Sequence, residues 1–510
     1  MIMTLAENFN LTRFRGYQKE AILALLPGRD CLIAQPTGSG KSMCFKFPAV
    51  YENKKTLVIT PTISLMQDQV KNCEEQQIRA EYLGSAQLDL SMEDRVLSPT
   101  SDVNLIFVTP EWISKADKKA KVQKLAKHNQ LCMIAIDEAH LYHYWQDFRV
   151  AFKQLETLKD EFPSTPIACL TATAPPSVEA SILKLLRNPL VTKGSVNRSN
   201  ISLACEVIPS SIHRKDFSYF ASRVSDILSD SECAIIYTDF IDDVGPIMSK
   251  LSEERIESVA YYGEMDVKSR NESYMRWRSG EVKVMVATSA FGMGINKLDI
   301  RHIVRFGVPE NLCSWAQELG RAGRDGLSAK ATIFYANSHI EHAGAWIKGK
   351  ICDSSTCERI LSEFSESWKY VTSDLVSKCR RRSLLEFFGE EDSNSQERGD
   401  SCCDVCGSLQ QKVDVDYSEE LKTLYNAIEV IGSKGEVKLA QWIRGCTLSW
   451  TDNYDKQSMS YGNSNGHNEM WWRLFIRKCH ILGTANKELK SIVNTIVCKV
   501  LLVQLQRGIK

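Results

Sequence analysis

No sign of charge dominates this chain: 63 Lys and Arg residues balance 63 Asp and Glu, so the formal net charge is zero over 510 residues. A globally basic nucleic-acid coat is therefore excluded, and phosphates can be met only by local basic surface. Long hydrophobic runs are missing as well. The most apolar segment, 492–505, is broken by Asn494 and Lys499 and is too short to span a bilayer, so no membrane partner is expected. The first residues carry no apolar stretch of the secretory kind, and no short-period repeat is visible. The 17 cysteines are scattered through apolar segments instead of crowding into a small framework. That points to a reducing compartment, with most of them acting as small buried hydrophobes.

What is present is an ordinary globular composition, 43% hydrophobic and 25% charged. The length is too great for one core and predicts roughly three or four domains. Apolar strands alternate with amphipathic segments through the first two-thirds, the pattern of parallel α/β domains. Strands are predicted at 31–34, 56–60, 105–109, 132–136 and 167–170, and again at 233–237, 258–261, 282–287, 302–306 and 331–335. Two similar halves, joined around 189–209, are expected. Beyond Asn337 the texture changes: 343–378 reads as helical, 389–406 as a polar loop ending in cysteines, and 417 onward as short helices around the polar loop 458–468.

Three motifs carry chemistry. The predicted strand 31–34 runs into Gln35-Pro36-Thr37-Gly38-Ser39-Gly40-Lys41-Ser42 and then a helix. Such a loop turns backbone N–H groups and a helix N-terminus toward phosphate oxygens. Lys41 would contact the β- and γ-phosphates of ATP, and Ser42 would help hold Mg²⁺. The strand 132–136 ends in Asp137-Glu138-Ala139-His140. Asp137 suits Mg²⁺ coordination, and Glu138 suits activation of the attacking water. In the other half, Gln317-Glu318-Leu319-Gly320-Arg321-Ala322-Gly323-Arg324 offers arginines that could reach a γ-phosphate across a domain interface. A solvated turn or a salt-bridged loop would explain any one of these alone, but not all three in this order.

The succession PTGSGKS, ITPTISLMQDQV, VTPEW, IDEAH, LTATA, VMVATSAFGMGINKLDIR and QELGRAGRDG resembles RecQ helicases of the second helicase superfamily over nearly the whole chain. The resemblance implies two tandem RecA-like parallel-sheet domains (1–205 and 206–340), a helical zinc-binding subdomain (341–412) and a winged helix (413–510). It further implies ATP-dependent 3′→5′ unwinding of DNA in recombination, repair and replication, on single-stranded, forked or 3′-tailed substrates, with a nuclear location. Carried over by position, Gln18 would read adenine, with Arg15 and Phe14 supporting the ring. Arg324 would be the arginine finger, with Arg321 beside it and Gln317 facing the nucleotide. Thr171 and Thr173 would couple the nucleotide site to DNA, as would Trp145, Phe148 and Arg149 in an aromatic-rich segment shortened here at Gln146. Ala287-Thr288 with Gly292 and Gly294 resembles a strand-tracking motif. Arg305 stands where the family usually has His, and 237–241 lacks the usual Ser-Arg pair.

Cys379, Cys402, Cys403 and Cys406 provide four thiolates for a structural zinc. Adjacent cysteines of this kind resemble the Werner-syndrome branch, whereas most RecQ proteins would place Asp400 where Cys402 is assigned. Trp471 and Trp472 read as core of the winged helix, and 484–490 has no aromatic at the position of a strand-splitting wing. An RNA helicase and a DNA-binding ATPase scaffold with weak or no unwinding remain as other readings, the first because DEAH is shared with RNA motors.

Overall fold

The structure is a computed structural model. It describes residues 1–391 apart from 86, 88, 90, 148, 210, 211, 213, 214, 229–231, 293–296, 337, 338, 340–353 and 374–377, then 401–409 and scattered positions between 423 and 443. Two compact units divide the chain: residues 1–371 with 380–404, and residues 372–379 with 405–510.

The first unit contains two parallel sheets. Among the described residues, one has seven strands: β1 (Cys31–Ala34), β2 (Lys55–Ile59), β3 (Ala80–Tyr82), β4 (Leu105–Val108), β5 (Leu131–Ile136), β6 (Ile167–Thr171) and β7 (Leu190–Lys193), in the order β3-β4-β2-β5-β6-β1-β7. The other has six: β8 (Ile201–Val207), β9 (Cys233–Thr238), β10 (Ser258–Tyr261), β11 (Val284–Ala287), β12 (Ile300–Phe306) and β13 (Ala329–Tyr335), in the order β10-β11-β9-β12-β13-β8. Central strands such as β1, β2, β4 and β9 are buried at every residue, as expected of a parallel sheet covered by helices on both faces.

Parallel register places the functional loops. β1 and β6 end together, with Ala34 beside Thr171, and β5 lies next to β6 with Ile136 beside Cys169. The segments after these three neighbouring strands therefore leave one edge of the sheet side by side, which is where open α/β sheets bind ligands.

The structure adds three strands to those read from sequence. β3 is only three residues long, while β7 and β8 lie inside the segment read as a linker. β8 straddles the expected boundary at residue 205 yet pairs along its whole length with β13, so it belongs to the second sheet. The chain crosses between lobes over residues 194–200 instead. Its outer edge is covered by the cysteine segment: Leu203 forms a parallel bridge with Cys403, and its N–H donates to the Cys402 carbonyl at 3.1 Å. Helices Ser354–Val371 and Arg380–Phe387 fall within regions read as helical. The residues read as a winged helix, including Trp471, Trp472 and 484–490, lie outside the described residues, apart from positions such as Trp442 and Ile443, which are buried.

One buried acid ties the first sheet together. Asp30, just before β1, accepts from Lys159 Nζ (2.7 Å), from Ile167 N at the start of β6 (2.9 Å) and from Arg187 N ahead of β7 (2.7 Å). Its side chain is 1% exposed. Asp30→Ala leaves a buried cation and two backbone donors without their acceptor, at a cost of about 3–5 kcal/mol. The thermal transition of this lobe, followed by calorimetry, should fall by roughly 10 °C; an unchanged transition contradicts this role.

Candidate active site

The phosphate loop is braced from behind by helix Gly16–Leu25. Gln18 Nε2 donates to the Gly40 carbonyl (3.0 Å), Arg15 Nη1 to the Gly38 carbonyl (3.0 Å) and Tyr17 Oη to the Ser39 carbonyl (2.7 Å). Gly38 and Gly40 adopt φ of 78° and 87°, a region costly for other residues, and a Cβ on Gly40 would lie 2.7 Å from Gln18 Nε2. Gln18 Oε1 meanwhile accepts from the Arg15 N–H at 2.8 Å, so one amide caps its own helix and holds the loop at Gly40. Tyr17, which the sequence reading passed over, completes the brace. Phe14 packs edge-on against Phe47 at 4.8 Å, in the small core beside this helix.

Across the loop stand the two acids. Glu138 has a left-handed φ of 49°, unusual for a residue other than glycine, and its N–H is held by Asp137 Oδ1 at 3.0 Å. Burial pushes the Asp137 carboxyl well above the ordinary carboxylate range; the Glu138 charge adds to this, and Lys41 opposes it. Burial raises Glu138 too, with Lys41 and then Arg321 pulling it back. Lys41 is lowered by burial and held up by both acids. Its Nζ donates to the Gln35 carbonyl at 2.9 Å, within reach of the loop's centre. Glu138 Oε2 is buried and accepts no hydrogen bond. A desolvated carboxylate oxygen with no donor, next to a second carboxylate, fits a hydrated divalent cation and a polarised water.

The second lobe closes this site. Gln317, on helix Leu312–Leu319, donates through Nε2 to His140 Nε2 (2.8 Å) and to Thr173 Oγ1 (3.2 Å). Burial, then the Lys41 charge, pushes His140 down to about 3, so the ring is neutral and its Nε2 can accept. Its Nδ1 lies 3.1 Å from Thr171 Oγ1 and 3.3 Å from Glu138 Oε2. Thr171 in turn donates to the Thr173 carbonyl at 2.9 Å. His140 is thus the joint between the acid pair, the Thr-Ala-Thr segment and the other lobe; its place in DEAH was the signal, but its partner is 177 residues away. Arg321 is buried and donates through Nη1 to the Gly292 carbonyl. Arg324 is lowered to about 10 by burial and by Arg321 and Arg198, the mark of a cation kept among cations.

Arg15, Gln18, Thr37, Gly38, Gly40, Lys41, Ser42, Asp137, Glu138, Gln317, Arg321 and Arg324 all line one cavity of about 510 Å³, which Lys46 and Asn72 also face. Ser39 sits at its back, on Tyr17.

The segment after DEAH is elsewhere. Trp145 packs edge-on against Phe152 (5.5 Å), with the Arg149 guanidinium 5.0 Å from the indole centroid. Arg149 also pairs with Glu111 at 2.6 Å and donates to the Pro61 carbonyl at 3.0 Å. Phe148 lies outside the described residues. Helix Ser354–Val371 reaches this segment through Glu363 to His143 (3.1 Å) and Arg359 to Asp147 (2.7 Å).

Cys379, Cys402, Cys403 and Cys406 offer a four-thiolate set whose chemistry fits a structural zinc. Cys402 belongs to this set; Asp400 lies outside the described residues. Beside it, Arg380 Nε and Nη2 clasp Asp404 at 2.6 and 2.9 Å, and Asp404 accepts from the Cys205 N–H at 3.0 Å.

Two RecA-like lobes with a phosphate loop, a DEAH pair and arginines facing one cleft define a nucleic-acid-dependent motor ATPase of the helicase class. The DEAD/DEAH box helicase family matches residues 15–181, and the helicase conserved C-terminal domain matches residues 221–326. The chain is 31% identical over 506 residues to ATP-dependent DNA helicase RecQ of Haemophilus influenzae, covering 96% of this chain and 76% of that protein. It is 31% identical over 437 residues to ATP-dependent DNA helicase Q-like 2 of Arabidopsis thaliana, covering 84% of this chain and 60% of that one. The bifunctional 3'-5' exonuclease/ATP-dependent helicase WRN of Mus musculus is 29% identical over 485 residues, 91% of this chain and 34% of WRN. The chain belongs to the RecQ family of ATP-dependent DNA helicases, and these identities do not set the Werner branch apart from the others. Among solved structures, the fold is similar to Mycobacterium smegmatis Lhr bound to ssDNA and AMP-PNP (TM-score 0.52, 17% identity, 68% of this chain and 49% of that). It is equally similar to S. cerevisiae Dbp5 bound to RNA and ADP BeF3 (TM-score 0.52, 16% identity, 77% and 92%). No helix among the described residues is long and apolar enough to cross a membrane.

The acid pair makes a pH prediction. A carboxyl raised by burial binds its proton more tightly folded than unfolded, so its contribution to stability is present at acid pH and is lost as pH rises through the raised value. Asp137→Asn removes that loss. In chelator, the variant should melt higher than the parent at pH 8 and by a smaller margin at pH 6, while ATP hydrolysis disappears. Equal margins at the two pH values contradict it.

Proposed function

We propose that the chain hydrolyses ATP in the cleft between its lobes, and that the cycle of closure and release carries it 3′→5′ along single-stranded DNA and separates the duplex ahead. The observation that carries this reading is the Gln317 amide bridging the lobes onto His140 and Thr173, directly behind Glu138. A site completed by the second lobe ties hydrolysis to lobe movement.

Gln18 reads adenine with the remaining capacity of its amide, and the loop 37–42 cradles the phosphates. Lys41 leaves the Gln35 carbonyl for the β- and γ-phosphates. Ser42 and Asp137 would hold Mg²⁺, which would supply charge neutralisation on the phosphate oxygens. Glu138 orients a water and takes its proton as the water oxygen bonds to the γ-phosphorus and the β–γ bridging oxygen departs with the bond pair. Arg324 reaches the γ-phosphate, and Arg321, anchored on Gly292, holds the arginine pair in line. Thr171 and Thr173, sharing hydrogen bonds with His140 and Gln317, relay the nucleotide's state to the strand, and Trp145 and Arg149 register bases. Cys379, Cys402, Cys403 and Cys406 would hold a zinc ion that supplies a structural cross-link. The substrates inferred are forked and 3′-tailed duplexes, in recombination, repair and replication in the nucleus. The adjacent Cys402 and Cys403 support kinship with the Werner branch.

The contacts that Arg359 and Glu363 of helix Ser354–Val371 make with the segment after DEAH favour a second reading in one respect: a pinned segment would make stimulation by DNA modest. Fork unwinding separates the two. Wild type should open a 3′-tailed fork with ATP and Mg²⁺ and be stimulated more by single-stranded DNA than by RNA, and Lys41→Ala should lose at least ~100-fold of the rate. Equal unwinding by both proteins, or RNA as the better activator, rules the reading out. Metal analysis should give about one zinc per chain, and less in Cys403→Ser.

A further inference from the structure

Arg305, at the end of β12, is almost fully buried, with 3% of its side chain exposed. Its Nη1 donates to Glu318 Oε1 at 2.5 Å, and its Nη2 donates to Asp239 Oδ1, in the residue after β9. Glu310, on the solvent-exposed side, adds a third carboxylate within electrostatic range of this one guanidinium. The arrangement is expensive. Burial pushes Glu318 up to about 7 even though Arg305 opposes it. Arg305 Nε and Glu318 Oε2 are both buried with no hydrogen-bond partner. An apolar cluster of the same volume would give more stability than such a pair, so its worth lies in geometry.

That geometry is specific. Glu318 is the neighbour of Gln317 on helix Leu312–Leu319, about 100° further round it. Gln317 points across the cleft to His140 and Thr173, while Glu318 points back to β12. The helix is therefore held on two faces by adjacent residues, one side chain bonded to each lobe. Asp239 braces the same guanidinium from β9, the strand paired with β12, where Arg305 lies beside Tyr237. Arg321 and Arg324 follow within six residues of Glu318.

We propose that Arg305, clamped between Asp239 and Glu318, is a positioning residue that fixes the rotation of this helix and so the reach of Gln317, Arg321 and Arg324 into the ATP cleft. Without the guanidinium, the Asp239 and Glu318 carboxylates lose the cation between them, and the helix turns to separate them. Arg305 never touches the nucleotide, so its loss affects turnover and leaves ATP binding alone.

The inference rests on the ATPase reading, and the test keeps the two apart. Steady-state ATP hydrolysis with saturating single-stranded DNA is measured for wild type, Arg305→Gln, Glu318→Gln and the double variant, with melting temperatures recorded alongside. No hydrolysis by wild type refutes the ATPase reading itself. With active wild type, Arg305→Gln should lower kcat about tenfold, equivalent to about 1.4 kcal/mol, with KM for ATP within about twofold. The double variant, whose two amides can bond each other without charge, should recover to within about threefold of wild type. If Arg305→Gln does not fold, Arg305→Lys, which can satisfy only one carboxylate at a time, takes its place with the same expectations. A folded variant with wild-type kcat, a loss expressed in KM, or a double variant no better than the single would overturn the proposal.

Discussion

Everything in this molecule's first unit is arranged around two carboxylates placed where water cannot properly solvate them. Asp137 and Glu138 are raised by burial, and Lys41 is lowered by it, yet all three remain side by side in the cleft. Such a cluster is poor for stability and well suited to a triphosphate and a divalent cation, which bring the charge it lacks. The neighbouring ends of β1, β5 and β6 hold it together, and Asp30 locks the opposite ends of β1 and β6.

The second lobe contributes what the first cannot. Arg321 and Arg324 supply positive charge from outside the phosphate loop, and Gln317 supplies a bond that exists only when the lobes face each other in this way. His140 makes the bond informative. Because burial keeps its ring neutral, the same side chain can accept from Gln317 and present its other nitrogen to Thr171 and Glu138. A shift of His140 is then felt at Gln317 and Thr173 through two hydrogen bonds.

The nucleotide half of the site was readable in the sequence because its chemistry is local. Gly38, Gly40, Lys41 and Ser42 are adjacent, and Asp137 and Glu138 end a buried strand. The RecA-like sheets were readable for the same reason, from runs of apolar residues. What escaped was set by distance along the chain or by brevity. β3 is too short to show a period, and β7 and β8 are edge strands that read as linker because half their residues face out. The role of His140 depends on Gln317, and Arg305, which looked like a departure, is matched by Asp239 and Glu318 in segments far from it. Phe148 and most of the residues assigned to a winged helix lie outside the described residues.

The central claim is that hydrolysis needs a charge delivered by the second lobe, and one measurement addresses it directly. Single-turnover ATP hydrolysis by Arg324→Ala, with single-stranded DNA present and ATP affinity measured in parallel, should fall by roughly 10³-fold or more while ATP still binds within a few-fold of wild type. Hydrolysis at the wild-type rate would mean that the first lobe is sufficient by itself, and the account of a site completed between lobes would be wrong.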